Sequence, residues 1–148
     1  MRKRRLYSLI ALTVAALFLP IRPVQAADPI AWPESVQRGV NLGGTSYSEE
    51  DIAWLARDWR ANIARVLVND LVSSTAPYQV KAASRDALFR LIDLCLKYQL
   101  YTVVSFSASF DNHDNFFSNP ALKAAFTAFW KEVAARYATS GPIAYDLM

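Results

Sequence analysis

Pro142-Ile-Ala-Tyr-Asp-Leu-Met148 is the stretch whose reading decides the fold. Gly141 and Pro142 break the preceding helix, and the residues after them are apolar except for Asp146. A short, nearly continuous apolar run behind a breaker is the signature of a strand buried on both faces, as in parallel sheets, where crossover helices cover the strands. Asp146 is the one charge in that run, and at this position it reads as structural.

The same alternation recurs upstream. Val36 to Leu42 reads as a strand in which Val40 and Leu42 alternate with Gly39 and Asn41, closed by Gly43 and Gly44. Ser48 with Asp51 resembles a capping box, and Ile52, Leu55 and Trp59 share a helical face, which predicts a helix over 49–61. Asn62 is its stop. Ile63 to Val68 is an apolar strand interrupted only by Arg65, ending on Asn69 and Asp70. After a polar loop over 71–83, Leu88, Leu91, Ile92, Cys95 and Leu96 give helical spacing capped by Ser84 and running to about Tyr98. Tyr101 to Phe106 is the next strand. Asn119 followed by Pro120 starts a helix, because the amide that proline lacks is unpaired at a helix start anyway. Its aromatic face, Phe126, Phe129, Trp130 and Tyr137, is expected to pack on a sheet rather than form a sugar platform. The order β, α, β, α, β, α, β argues an α/β fold with about four parallel strands and three helices. Loops after strands are longer than loops after helices.

The amino terminus has a different character. Arg2, Lys3, Arg4 and Arg5 precede an apolar run from Leu6 to Leu19, then Pro20 and the small-residue ending Val24-Gln-Ala26. This is the pattern of a secretory signal peptide, residues 1–26, cleaved after Ala26, with 27–148 as the mature domain. The alternative, an uncleaved anchor helix, is opposed by Pro20 and Arg22, which break the run early. The mature chain is then secreted or periplasmic, with no stable membrane anchor. The chain has 16 basic and 13 acidic residues, and five of the basic ones lie in the leader with no acid, so 11 remain against 13, about −2. The basic pI belongs to the leader, and nucleic acid is excluded as a partner.

One cysteine, Cys95, and one histidine, His113, cannot build a closed zinc site, and no metal or other cofactor is expected. Cys95 lies on the apolar face of its helix and reads as an inert buried thiol. Gly43 and Gly44 are followed by no phosphate-loop pattern. Asp111 and Asp114 stand beside Asn112 and Asn115 and serve turns.

Four pieces taken together resemble the amino-terminal half of glycoside hydrolase family 5. They are Arg38-Gly-Val-Asn-Leu-Gly-Gly44, Ala61-Asn-Ile-Ala-Arg-Val-Leu67, the helix and strand over 88–106, and Pro142 to Met148. The resemblance implies a partial (β/α)8 barrel of the type that hydrolyses β-linked glycans with retention, using two glutamates about 5 Å apart. It also implies that Arg65 serves substrate binding or supports the nucleophile, since a nearby cation keeps a carboxylate ionised. The family's acid/base glutamate follows the fourth strand in an Asn-Glu-Pro motif. The sequence stops at Met148, where that asparagine would come next, and the nucleophile belongs to the seventh strand. No catalytic residue is therefore assigned, Arg65 is expected to lack its presumed partner, and the chain is expected to be truncated and inactive alone. Where family members often place a histidine at the end of the third strand, this chain has Ser105, Phe106, Ser107 and Ala108. His113 follows later, either as a cleft-loop residue or as a solvated one. Two other readings stay open: a non-catalytic exported carbohydrate-binding or assembly half-barrel, and another exported barrel enzyme sharing only the architecture. Open strand edges predict self-association.

Overall fold

The computed structural model describes residues 37–106, 116 and 118–147. The leader, and with it the predicted cleavage site, lies outside these residues, as do His113, Asp111 and Asp114. Four strands form a single sheet: β1 (Gly39–Gly43), β2 (Ile63–Val68), β3 (Tyr101–Phe106) and β4 (Ile143–Asp146). They lie in sequence order, β1-β2-β3-β4, and every neighbouring pair is parallel. Three helices connect them: α1 (Glu49–Arg57), α2 (Ala82–Lys97) and α3 (Pro120–Tyr137).

Sequential order with crossovers of one hand puts every connecting helix on the same side of the sheet. The pleat then divides each strand into a helix-facing and a helix-free set of side chains. In β2, Ala64, Val66 and Val68 are buried, while Ile63, Arg65 and Leu67 are half-buried. The registers Leu42↔Val66 and Val66↔Val104 carry the buried set across the sheet. There it joins Ile52 and Leu55 of α1, Leu88, Leu91, Ile92 and Cys95 of α2, and Leu122, Phe129 and Val133 of α3 in one core. Doubly wound sheets reverse their strand order and place helices on both faces; this one does neither. It is the winding of a β/α barrel.

Local chemistry accounts for the helices. Ser48 Oγ accepts the Asp51 amide at 3.2 Å while the Asp51 carboxylate accepts the Ser48 amide at 2.8 Å, the capping box expected from the sequence. Asn119 caps α3 by accepting the amides of Ala121 and Leu122, each at 3.1 Å, with Pro120 in the first turn. The aromatic face of α3 packs on the sheet: Phe106 lies 4.9 Å from Phe126 and 5.5 Å from Phe129 between ring centres, and Trp130 lies 5.7 Å from Tyr145. Glu49 at the start of α1 accepts from Lys97 Nζ at 2.6 Å and Tyr98 Oη at 2.9 Å, which ties α1 to the end of α2.

Four boundaries differ from expectation. α1 ends at Arg57 rather than Ala61, because Arg60 takes a left-handed φ of 53° and the Ala61 amide turns back to the Leu55 carbonyl. Trp59 therefore leaves the helical register and lies half-exposed against Trp54, ring centres 4.8 Å apart, instead of joining the core. α2 starts at Ala82 with Lys81 at its cap and no side-chain cap bond, leaving Ser84 inside the first turn. Lys81 is held there by its ion pair with Asp70 and by its amide donating to Leu71. The first and last strands are shorter than the runs 36–42 and 142–148 that suggested them: β1 opens at Gly39 and β4 closes at Asp146.

Gly39 has a role that its strand context hides. A Cβ at this position would stand 2.2 Å from Ile63 Cγ2 and 2.4 Å from the Ile63 carbonyl oxygen, so only glycine lets β1 approach β2 there. Gly39→Ala is expected to destabilise the fold by about 1–3 kcal/mol, the usual cost of overpacking against a backbone that cannot move far. Urea unfolding followed by far-ultraviolet circular dichroism checks this; an unchanged midpoint would contradict the close approach.

Candidate active face

The helix-free face is where β2, β3 and β4 bring polar groups together. Arg65 rises from the middle of β2, and its Nη2 donates to Asp146 Oδ2 at 2.5 Å and to Ser105 Oγ at 3.3 Å. Ser105 Oγ in turn donates to the same Asp146 oxygen at 3.0 Å. The registers explain the meeting. Arg65 lies level with Val103 and Ala144, and Ser105 with Asp146, so the guanidinium leans over β3 toward the carboxyl end of β4. Pleat parity does the rest, because all three residues occupy helix-free positions.

Arg65 therefore pairs with a carboxylate other than the nucleophile that the resemblance implies. That partner is Asp146, the charge in the closing strand. Its structural role is visible in the bond, and its place on the same face as Arg65 is what sequence reasoning missed. The two side chains are 43% and 32% exposed, so water reaches the pair and screens it. The rest of the face is apolar or neutral among the described residues, with Ile63, Leu67, Val103 and Ala144 half-buried around the pair.

The loop after β2 rims this end. It is an ordered hairpin: Val72 bridges Val80, the Ser73 amide donates to the Gln79 carbonyl at 2.9 Å, and Leu71 and Val72 are buried. Ser73 Oγ organises its tip, donating to the carbonyls of Thr75 and Pro77 and accepting the Gln79 amide. The polar composition of the loop gave no hint that two of its residues anchor in the core.

None of the described glutamates reaches the helix-free face. Glu49 and Glu50 open α1, and Glu132 on α3 pairs with Arg85 at 3.4 Å. The hydrogen bond from Lys97 holds the Glu49 carboxyl below its ordinary value, as expected of an ion-paired surface group rather than a proton donor. Among the described residues no three metal-ligating side chains converge, and no helix is long and apolar enough to cross a membrane.

The same-side β/α winding is that of part of a β/α barrel, and the Arg65 guanidinium reaches the Asp146 carboxylate across its helix-free face. Comparison with known proteins supplies the family. The sequence matches the family model described as Cellulase (glycosyl hydrolase family 5) over residues 26–148. The chain belongs to that family. None of the curated proteins compared with it matches. Similar solved structures include a thermostable, halotolerant GH5 cellulase from an Icelandic hot spring isolate (22% identity, TM-score 0.55, covering 75% of this chain and 31% of that one). A protein described as an endoglucanase is 12% identical with a TM-score of 0.58, covering 75% and 39%. One described as cellulase Cel5C_n is 16% identical with a TM-score of 0.56, covering 76% and 36%. At such identities the likeness is one of fold. This chain spans between about a third and two fifths of the length of these structures.

Cys95 is the nucleophilic side chain outside this face. It is fully buried, and burial pushes its thiol up to about 12, against a smaller opposing effect of the hydrogen bond with Thr102. Thiolate, the reactive form, is therefore scarce at neutral pH. Cys95 is expected to react with an aromatic disulfide reagent only at the rate of unfolding; rapid labelling in native buffer would show the helix-facing core to be open.

Proposed function

We propose that this chain forms the strand β1 to β4 flank of an exported, retaining glycoside hydrolase acting on β-linked polysaccharide or oligosaccharide. The observation that carries this reading is the family match together with Arg65 on the helix-free face, its guanidinium reaching toward the carboxyl end of β4, the side on which barrel enzymes do their chemistry. In such an enzyme one carboxylic acid protonates the leaving oxygen while a second carboxylate attacks the anomeric carbon. The first then activates water to release the sugar. Arg65 can offer the guanidinium N–H groups that bind a sugar hydroxyl or steady a nearby carboxylate.

The carboxylic acid pair itself is not formed by the described glutamates, so the chain alone is inactive in this reading, and turnover requires carboxylates from further polypeptide. His113 is a candidate cleft residue of the assembled enzyme. Export rests on the basic and apolar leader over 1–26, and places the mature chain outside the cell or in the periplasm. Among the described residues β1 and β4 have no outer strand neighbour, so the chain by itself is expected to associate through these edges.

A second reading has one observation in its favour. The half-exposed Trp54 and Trp59 rings flank a cavity of about 260 Å³ with Tyr47, Asn41 and Asp51, which suits a non-catalytic carbohydrate-binding half-barrel.

Assays of the purified mature chain on soluble β-glucan are expected to show no turnover under either reading. Turnover that is abolished by Arg65→Ala would contradict the inactive-alone proposal. Oligosaccharide binding that survives Arg65→Ala and is lost in Trp54→Ala would favour the second reading over the first.

A further inference from the structure

The bond between Arg65 and Asp146 changes what this arginine can do. A bare guanidinium on an apolar face would attract any anion and act as a point of positive charge. Here the Asp146 carboxylate takes up Nη2 at 2.5 Å, and Ser105 closes the triangle from β3. Arg65 and Asp146 are the charged residues on this face among the described strand positions, so the face carries no net charge there. Guanidinium has five N–H donors, and the contacts within the triangle use those of Nη2 alone. Among the described residues Nε and Nη1 make no hydrogen bond, and the side chain is 43% exposed. The remaining donors are thus oriented, reachable and charge-compensated.

We propose that Asp146 is a positioning residue for Arg65: it aims the guanidinium along the strand ends and cancels its charge. Arg65 then acts as a directed hydrogen-bond donor, and removing the carboxylate turns the same spot into an anion site. This deepens the reading of Arg65 as a cleft residue and rests on it. The strand fixes the carboxylate from the backbone of β4, directly beside Ser105 in register, so the aim of the guanidinium is set by the sheet and not by a mobile loop.

The test is residue-resolved phenylglyoxal modification of the full chain, read by peptide mass spectrometry with exposed Arg60 as the internal reference. In the unaltered chain Arg65 is expected to react more slowly than Arg60, with no protection by millimolar phosphate. Asp146→Asn is expected to speed Arg65 about fivefold, the scale of a partly exposed ion pair, and to make that reaction phosphate-protected. Asp146→Glu is expected to restore the slow, phosphate-insensitive reaction. Phosphate protection of Arg65 in the unaltered chain overturns the proposal even if the variants fail to fold. So does an Arg65 rate unmoved by Asp146→Asn, or an absence of phosphate protection in that variant. In an assembled enzyme that contains this chain, β-glucan turnover unmoved by Arg65→Ala would sink the reading of Arg65 as a cleft residue while the pairing stands on the phosphate result.

Discussion

A guanidinium on β2 can meet a carboxylate on β4 only if β3 lies between them in parallel register with all three residues on the same side of the pleat. Adjacent strands are separated by about 4.8 Å, so the contact crosses roughly 10 Å of sheet, within reach of arginine and of few other side chains. The Arg65–Asp146 bond is therefore both a product of the fold and a report on it. A one-residue slip of β2 against β3 would turn Arg65 into the helix-facing core and place a neighbour of opposite parity on the free face. That core, with Ala64, Val66 and Val104 fully buried, has no room for a charge.

The one-sided winding divides labour between the two faces. Helix-facing positions carry the stabilising burial and need only shape: Leu42, Val66, Val104 and Phe106 pack against Ile52, Leu88, Ile92 and Phe129. Helix-free positions are relieved of that duty and can hold polar groups at the strand ends, where loops supply the rest of a site. Gly39 shows the cost of the arrangement at the β1–β2 seam, where the strands come too close for any side chain. Membership of the cellulase family and the fold shared with solved cellulases fit this division, since barrel glycosidases place their chemistry at strand ends.

Much of this architecture was legible in the residues, and what escaped had a physical reason. Local signals read well: the Ser48–Asp51 box, the Asn119–Pro120 start, the bounds of β2 and β3, and the packing role of the α3 aromatics all depend on neighbours a few residues away. The end of α1 did not, because Trp59 continues the apolar period although the left-handed turn at Arg60 has already stopped the helix. Nor did the cap of α2, where an ion pair from Lys81 to Asp70 and a hairpin anchored by Leu71 displaced Ser84. In the candidate site, Arg65 stood out as a charge inside an apolar strand. Its partner did not, because it lies 81 residues away and is selected by register across three strands. Asp146 looked structural from its own strand, and only the sheet shows that it faces the same side as the arginine.

The most direct test of this account is a double-mutant cycle on Arg65 and Asp146, with Arg65→Met and Asp146→Asn made singly and together and unfolding free energies measured in low and high salt. A favourable coupling of about 0.5–1 kcal/mol that shrinks with salt is expected, as befits a pair that water partly reaches. Additive effects at low salt would mean that β2 and β4 do not present these residues to each other, and the proposed active face would fall with them.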